Sequence, residues 1–200
     1  MNKVTAKEQL APLFHDGMSL MVGGFLGCGV PYGMIEYVLE LGIKNIHLIC
    51  SDTGEADQGV GRLISQHRVR SIVTSHIGTN KDTIAQLNSG EISIDLIPQG
   101  TFNERIRAAG SGIGGFLTRV GVGTPVAEVI TVNGLDYLLE YPLTAEVALV
   151  RGSITDTYGN TCYKGTTKNC NTVMAMAAQK VIMESEIIVA PAQLEKEKIM

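Results

Sequence analysis

Residues 18–31 read MSLMVGGFLGCGVP, and the fold class is most clearly indicated by this segment. Its first part, Met18–Val22, is apolar apart from Ser19 and has the length of a strand, which is typical of a parallel strand that is covered on both faces. A glycine-rich loop follows at Gly23–Gly29. Pro31 then favours the first turn of a helix, where its fixed φ fits and its missing N–H is not needed. The stretch therefore predicts a strand, a loop and a helix that ends near Leu41.

The same alternation of buried strand and helix continues through the first half of the chain. The predicted strands are Ile46–Cys50, Val69–Ser75 and Ile92–Ile97, and the predicted helices lie at Gly59–His67, after the cap residues Thr79-Asn80, and after capping boxes at Thr5–Glu8 and Thr101–Glu104. Strands that alternate with helices predict an open, mostly parallel sheet with helices on both faces, which is a three-layer α/β fold.

The second half of the chain departs from this alternation. Asn133-Gly134 stands between two strand-like segments, Ala127–Val132 and Leu135–Glu140, and predicts an antiparallel hairpin with a type I′ turn. The other predicted elements are a glycine-rich surface loop at Ala109–Pro125, a buried strand at Ala145–Val150, a turn at Asp156–Thr161, a helix at Asn171–Gln179 and strands at Val181–Met183 and Ile187–Val189. No linker or repeat divides the sequence, so we predict one domain over residues 1–200.

The composition excludes several classes of function. Sixteen basic residues against twenty acidic ones give a net charge of −4, whereas a protein that binds a phosphate backbone needs a basic surplus. The longest early apolar run, Met18–Val22, is far shorter than the roughly 20 residues of a membrane helix, and no signal peptide is apparent. We therefore expect a cytoplasmic protein that contacts neither nucleic acid nor membrane.

The four cysteines and four histidines are scattered along the chain, and no spacing typical of a metal site joins them. We therefore expect reduced thiols that are mostly packed inside the protein. The sequence predicts no metal.

The loop after the first strand is the first candidate binding site. It lies where open α/β sheets bind ligands, and its residues are Gly23, Gly24, Phe25, Leu26, Gly27, Cys28 and Gly29. Glycine allows a ligand to approach closely, and the N–H groups at a helix start attract anions. Neither a dinucleotide fingerprint, which Tyr32 interrupts, nor a P-loop is present. A tight turn without a ligand is the alternative interpretation.

Polar residues follow the other predicted strands at the same edge of the sheet. Gln99, in the stretch 98–101, offers an amide that suits orienting a carboxylate or a polarised carbonyl. Ser51 and His76 follow two further strands; His76 is a candidate general base, with a structural histidine as the more common case. The turn Lys164–Asn169 carries two cations, and it is either a solvated turn or a contact for a partner or a phosphate.

Taken in order, these motifs resemble the family I CoA-transferases, in their A (alpha) subunit. The matching segments are 16–31, 52–53, 75–80, 98–101, 110–116, 121–124 and 164–169. The similarity is greatest to the members that act on short acyl chains, the butyrate–acetoacetate and acetate CoA-transferases. Ser51 departs from the family, whose members often carry Asn there. Relatives also continue beyond the last strand with a Thr-Pro-Gly segment, so a truncation at Met200 is left open.

The resemblance implies a ping-pong exchange of CoA between an acyl-CoA and a free carboxylic acid. In the family, a glutamate of the B (beta) subunit attacks the acyl-CoA and becomes a glutamyl-CoA thioester. That glutamate stands in a Ser-Glu-Asn-Gly type motif, and no glutamate of this sequence is followed by Asn-Gly. The nucleophile is therefore expected on a separate B subunit, within an α2β2 heterotetramer.

The resemblance also implies roles for the candidate residues. Gln99 is expected to contact the substrate carboxylate or the oxyanion. The glycine loop, Gly23–Gly29, is expected to bind CoA, which enters as a substrate rather than as a permanently bound cofactor.

Two other functions stay open from the residues alone. The same broad fold carries sugar-phosphate isomerases and sensors, although no acidic catalytic pair stands near a lysine-rich loop here. A non-catalytic assembly protein is the other alternative. The preferred acyl chain, among acetate, butyrate and acetoacetate, does not follow from the sequence, because one methylene changes binding by only ~1–3 kcal/mol.

Overall fold

A mostly parallel sheet forms the centre of the computed structural model, which describes residues 1–124 and 128–194. The strands and helices are, in chain order, β1 (Ser19–Val22), α1 (Tyr32–Glu40), β2 (Ile46–Cys50), α2 (Val60–Ser65), β3 (Val69–Thr74), α3 (Lys81–Asn88), β4 (Ser93–Leu96), α4 (Gln99–Gly110), β5 (Phe116–Thr118), β6 (Val129–Val132), β7 (Leu135–Glu140), β8 (Ala145–Asp156), β9 (Thr161–Cys162), α5 (Asn171–Ala177) and β10 (Ala178–Val189). Short 3₁₀ helices lie at Lys7–Leu13, Gly165–Thr167 and Pro191–Gln193. The alternation predicted for the first half is confirmed.

Parallel pairing brings the carboxyl ends of the central strands to one edge of the sheet. The strand order is β10-β8-β1-β2-β3-β4, every neighbouring pair is parallel, and β9 pairs antiparallel with β8. A second sheet, of β5, β7 and β6, is antiparallel. Because β1 has β2 on one side and β8 on the other, the strand order reverses beside β1. Ligands bind at such reversal points in open α/β sheets, and the loop after β1 lies there.

Two separate hydrophobic cores cover the two faces of the large sheet. Successive residues of a strand point to opposite faces. Leu20 and Leu48 accordingly pack with α1 and α2, whereas Met21 and Ile49 pack with α4 and α5. The predicted three-layer arrangement, with helices on both faces, is therefore confirmed. Among the described residues, no helix is both long and apolar enough to cross a membrane.

Both predicted capping boxes are wrong. The segment after Thr5 forms a 3₁₀ helix and not an α-helix, because Pro12 inside it has no N–H to donate. The residue at its cap position is Ala6, and it makes no side-chain hydrogen bond. The second helix begins at Gln99, two residues before Thr101, since the Pro98 carbonyl already accepts its first hydrogen bond, from Phe102 N–H at 2.9 Å. By contrast, Asn80 caps α3 as predicted, through bonds to two backbone N–H groups.

The hairpin in the second half is confirmed in its described part. Asn133 (φ 52°) and Gly134 (φ 76°) both have positive φ, as a type I′ turn requires. Residues 125–127, which include the predicted start of the first strand at Ala127, lie outside the described residues. The predicted loop at Ala109–Pro125 is partly wrong, because α4 extends to Gly110 and β5 pairs with β7 inside it.

The two strands predicted near the end of the chain form one strand, β10. The predicted helix ends earlier than expected, at Ala177, and passes directly into this strand. Among the described residues β10 is paired only with β8, so it is an edge strand, and polar side chains such as Ser185 and Glu186 are tolerated in its middle. These polar residues interrupted the apolar pattern on which the prediction rested.

An ion pair at the end of the sheet opposite to the candidate site gives a testable pH dependence. Glu146 accepts hydrogen bonds from Ser19 N–H at 2.8 Å and lies 3.0 Å from His15 Nε2. The hydrogen bond from Ser19 N–H, and to a smaller extent the interaction with His15, lowers the pKa of Glu146 below its usual 4.5. The hydrogen bond to the Asp16 carbonyl, and to a smaller extent the interaction with Glu146, raises the pKa of His15 above its usual 6.5.

We predict that Glu146→Gln destabilises the protein most between pH 4.5 and 6.5, where the glutamate is ionised and the histidine is protonated. The difference should shrink as the pH falls through the lowered pKa of Glu146, and also as it rises through the raised pKa of His15. Urea unfolding from pH 3 to 9 measures it, with the exposed Glu128→Gln as the control. A difference that is constant with pH would contradict the pairing.

Candidate functional site

The glycine loop folds back on itself at its tip. Phe25 N–H donates to the Cys28 carbonyl and Cys28 N–H donates to the Phe25 carbonyl, both at 2.9 Å. Leu26 (φ 44°) and Gly27 (φ 84°) between them both have positive φ, and the tip is exposed. A left-handed backbone costs a residue such as leucine roughly 1–2 kcal/mol. The surrounding structure must therefore hold this tip in place.

The carboxylate of Asp52, buried at the end of β2, holds the tip. Its Oδ2 accepts a hydrogen bond from Leu26 N–H and its Oδ1 accepts one from Gly54 N–H, both at 3.0 Å. Hydrogen bonds to charged groups contribute roughly 1.5–3 kcal/mol each, enough to offset the strain at Leu26. The sequence placed Asp52 at a strand end but gave no sign of this role.

The base of the loop is closed by Asn171, which the sequence analysis did not single out. Its Nδ2 donates to the Gly29 carbonyl at 3.0 Å and to the Thr167 carbonyl at 2.9 Å, and its Oδ1 accepts from Arg151 N–H at 3.0 Å. A Cβ on Gly23 would lie 1.9 Å from Asn171 Oδ1, and one on Gly29 would lie 2.5 Å from the Thr167 carbonyl oxygen. The protein's own packing therefore requires glycine at both positions, with or without a ligand.

The predicted cationic turn, Lys164–Asn169, packs behind the same loop. Asn169 Nδ2 donates to the Cys28 carbonyl at 3.0 Å, and the next residue, Cys170, donates its thiol to the Gly24 carbonyl at 3.2 Å. Burial raises the pKa of the Cys170 thiol to about 11, so it keeps its proton. The turn thus helps to position the loop, and a contact with a partner or a phosphate stays a prediction.

The start of α1 is occupied by the chain's own carboxylate. Glu184 of β10 accepts a hydrogen bond from Met34 N–H at 2.8 Å. Arg151 donates to the Val30 carbonyl at 3.1 Å and lies 4.0 Å from the same glutamate. The expectation that helix-start N–H groups would attract a ligand anion therefore fails at Met34, because an internal anion already satisfies this donor.

Gln99 is the first residue of α4, and two serines fix its side-chain amide. Ser51 Oγ donates to Gln99 Oε1 at 3.1 Å, and Ser75 Oγ donates to the same oxygen. The described residues supply no acceptor for Gln99 Nε2, which leaves its N–H groups for a ligand. The structure thus brings the ends of β2, β3 and β4 together around one oriented donor.

His76 lies at the same edge but outside this cluster. Its side chain is exposed, and its carbonyl accepts a hydrogen bond from Thr53 N–H at 3.1 Å. The described residues give its ring no hydrogen-bond partner that would orient it as a base. A role for His76 in proton transfer stays a prediction.

A cleft of about 170 Å³ opens beside the glycine loop. Buried residues form its floor and exposed residues form its rim, and together they are Val22, Gly23, Gly24, Leu26, Gly27, Val30, Tyr32, Cys50, Asp52, Gly54, Glu55, Gln58, Gly59, Val60 and Thr79. Glu55 and Gln58 were not predicted from the sequence, because the irregular segment between β2 and α2 carries no periodic pattern. Within the described part of the chain, no group of three or more His, Cys, Asp or Glu side chains is placed to hold a metal ion.

Comparison with known proteins assigns the family. Residues 3–200 match the Coenzyme A transferase family. The chain belongs to this family. The resemblance that the motifs indicated is therefore confirmed, and it extends over nearly the whole sequence.

Two curated relatives that are similar to this family member over nearly their whole length are named as alpha subunits. The chain is 50% identical to the acetoacetyl-CoA:acetate/butyrate CoA transferase alpha subunit of Clostridium acetobutylicum, over 100% of this chain and 93% of the relative. It is 42% identical to the acetate CoA-transferase subunit alpha of Escherichia coli, over 99% of this chain and 91% of the relative.

Solved structures of other CoA-transferases share the fold. An acyl-CoA transferase apoenzyme from Escherichia coli superposes with a TM-score of 0.85 at 18% identity, over 99% of this chain and 44% of that chain. Glutaconate coenzyme A-transferase from Acidaminococcus fermentans gives 0.86 at 16% identity, over 98% of this chain and 71% of that chain. At these identities the likeness shows the fold alone.

The packing around Asn171 predicts the effect of a methyl group at Gly23. Gly23→Ala should destabilise the protein by about 1–3 kcal/mol, because the new Cβ displaces the Asn171 amide. The matched control is Gly114→Ala, where a Cβ meets nothing within 4 Å and φ is not left-handed, and it should change the stability by less than about 1 kcal/mol. Urea midpoints measure both.

A double-mutant cycle makes this prediction specific to the one contact. Gly23→Ala and Asn171→Ala together should cost less than the sum of the two single changes, because truncating the amide removes the clash. Strictly additive free energies of unfolding would show that Asn171 does not impose the glycine.

Proposed function

We propose that this family member is the A subunit of a heteromeric CoA-transferase, which moves CoA between a short-chain acyl-CoA and a free carboxylate. The observation that carries the proposal is the 50% identity, over the whole chain, to a subunit named for acetoacetyl-CoA, acetate and butyrate. Butyryl-, acetoacetyl- and acetyl-CoA are the proposed substrates. No comparable observation supports a sugar-phosphate isomerase, a sensor or an assembly protein.

The proposed reaction exchanges one thioester for another. A glutamate carboxylate of the B subunit attacks the carbonyl carbon of the acyl-CoA, the C–S bond breaks, and CoA leaves as its thiolate. The thiolate then attacks the glutamyl carbonyl of the resulting anhydride, which releases the acyl group as a carboxylate and forms a glutamyl-CoA thioester. A second carboxylate reverses these steps, so no ATP is consumed.

The proposed contribution of this chain is to stabilise charge at the reacting carbonyl. Each attack creates an oxyanion, which is stabilised most by donors that are already oriented before the reaction. Gln99 suits this task, because two serine hydroxyls hold its Oε1 and its Nε2 has no protein acceptor in the described residues. The glycine loop, Gly23–Gly29, is the proposed contact for CoA.

The nucleophile is proposed to lie on the partner. The glutamate that lines the cleft, Glu55, is followed by Ala56 and not by the family's Asn-Gly. A heterotetramer of two A and two B chains in the cytoplasm is the proposed form of the enzyme. CoA enters and leaves as a substrate, and no bound cofactor takes part.

Acyl exchange by this chain alone, and then with a co-expressed B subunit, tests the proposal. We expect acetyl-CoA to form from butyryl-CoA or acetoacetyl-CoA plus acetate only when both subunits are present. Mass spectrometry of the trapped intermediate should locate the CoA thioester on the partner. Activity of this chain alone, or a thioester on Glu55, would overturn the assignment of the nucleophile.

Gln99→Ala should lower kcat of the assembled enzyme by about 10²-fold or more, the usual cost of losing one oxyanion donor. The urea midpoint should change little, because Gln99 is half-buried and lies in the first turn of its helix. Gln66→Ala, an exposed glutamine at the end of α2, is the matched control and should keep full activity. A kcat within threefold of the unmodified enzyme would exclude the proposed role of Gln99.

A further inference from the structure

The cleft beside the glycine loop has the size of a short acyl group. Its volume is about 170 Å³. A cavity of roughly 150 Å³ accommodates benzene, which has six heavy atoms. A four-carbon chain with its carbonyl oxygen is of the same size, whereas the long arm and nucleotide of CoA are far larger.

The floor of the cleft has the chemistry of an apolar site. Val22, Val30 and Val60 line it together with Cys50, and all four are buried. Burial raises the pKa of the Cys50 thiol, so that this side chain is neutral and behaves as a small apolar group. Apolar walls of this kind bind methylene groups and gain nothing from a charged group placed against them.

The charged groups around the cleft are all negative. Asp52 and Glu55 line it, and none of its lining residues is a lysine, an arginine or a histidine. The Asp52 carboxylate is already held by two backbone N–H groups, whereas Glu55 is exposed at the rim. A second carboxylate at the far end of an acyl group would therefore meet like charge and no cation, which is an arrangement that rejects it.

The cleft and the Gln99 donor lie on the two sides of one strand end. Cys50 and Asp52 line the cleft, and the residue between them, Ser51, hydrogen bonds to Gln99 at 3.1 Å. Consecutive residues are only ~3.8 Å apart between Cα atoms. A ligand that crosses the end of β2 can thus place its carboxyl carbon at Gln99 and its tail in the cleft.

We propose that this cleft is the acyl-chain subsite of the enzyme, and that it selects linear monocarboxylic acyl groups of up to about four carbons over dicarboxylic ones. Val60 limits the chain length and Glu55 rejects a second carboxylate. The proposal rests on the proposed function, since it names the substrate class of the same site.

The test uses the complex of this chain with its B subunit and a fixed acetoacetyl-CoA donor. Acetate, propionate, butyrate and succinate are compared as acceptors by kcat/KM. We expect butyrate to exceed succinate by at least tenfold. Equal use of succinate would overturn this inference while leaving the proposed function intact, whereas no exchange with any of the four acids would count against the proposed function itself.

Two substitutions separate the size and the charge of the cleft. Val60→Leu adds one methylene at the floor and should lower kcat/KM for butyrate relative to acetate by about tenfold or more. Its matched control is Val120→Leu, at a position that is exposed and outside the cleft. A uniform rise in KM for every CoA ester, with the ratio unchanged, would show that the cleft holds part of CoA instead and would overturn the proposal.

Glu55→Lys should raise the use of succinate relative to butyrate by about tenfold, because it removes one repulsion and adds one attraction. Asp57→Lys makes the same change of charge two residues away, at an exposed position that does not line the cleft. It should leave the ratio within about twofold. Equal effects of the two substitutions would show a general field and not a contact in the cleft. Because both positions are exposed, both variants should keep the urea midpoint of the unmodified complex.

Discussion

The site depends above all on one buried amide, that of Asn171. Its two ends join strand β8, through Arg151 N–H, to the glycine loop, through the Gly29 carbonyl, and to the segment before α5, through the Thr167 carbonyl. A buried amide that loses such partners costs roughly 1–3 kcal/mol for each group left unsatisfied. One side chain therefore fixes the relative positions of three separate segments. The Asn171 amide occupies the space that a side chain at residue 23 would fill, so that this residue is glycine.

A second constraint acts at the opposite end of the loop. The exposed tip has a backbone that leucine does not favour, and the Asp52 carboxylate compensates for it. The loop is thus fixed at its base by an amide and at its tip by a carboxylate. A loop that is fixed at both ends presents its exposed atoms in one arrangement, which lowers the entropy that a ligand must remove when it binds.

The large elements of the fold could be predicted from the sequence because they depend on local patterns. The apolar run at Met18–Val22 and the Asn133-Gly134 turn are examples, since each carries its own signal of burial or of backbone conformation. The start of α4 could not be predicted in this way. The pattern at Thr101–Glu104 suits a helix start, but the Pro98 carbonyl accepts the first hydrogen bond and the helix begins at Gln99. The continuous strand β10 was not predicted either. Its polar residues interrupt the apolar pattern, and they are tolerated because β10 lies at the edge of the sheet.

The candidate site was predictable only in part. Gln99 and Ser51 were placed at one edge by the rule that parallel strands end together, and the structure joins them by a hydrogen bond. Asn171 and Glu184 were not predictable, because each acts on a backbone group more than 100 residues away and no local pattern records such a contact. The clustered glycines predicted that other atoms approach the backbone of the loop closely. They did not indicate that these atoms belong to Asn171 and Thr167 of the same chain.

Glu184 has a consequence for selectivity among the anions of a cell. Many α/β folds leave the first helix after β1 open, so that phosphate groups of very different molecules compete for it. Here the chain has closed that opening with its own side chain, and Arg151 balances the added charge. The Met34 N–H group is therefore not available to a ligand phosphate. The start of α1 thus offers a ligand anion one backbone donor fewer than the same position in a fold that leaves it open.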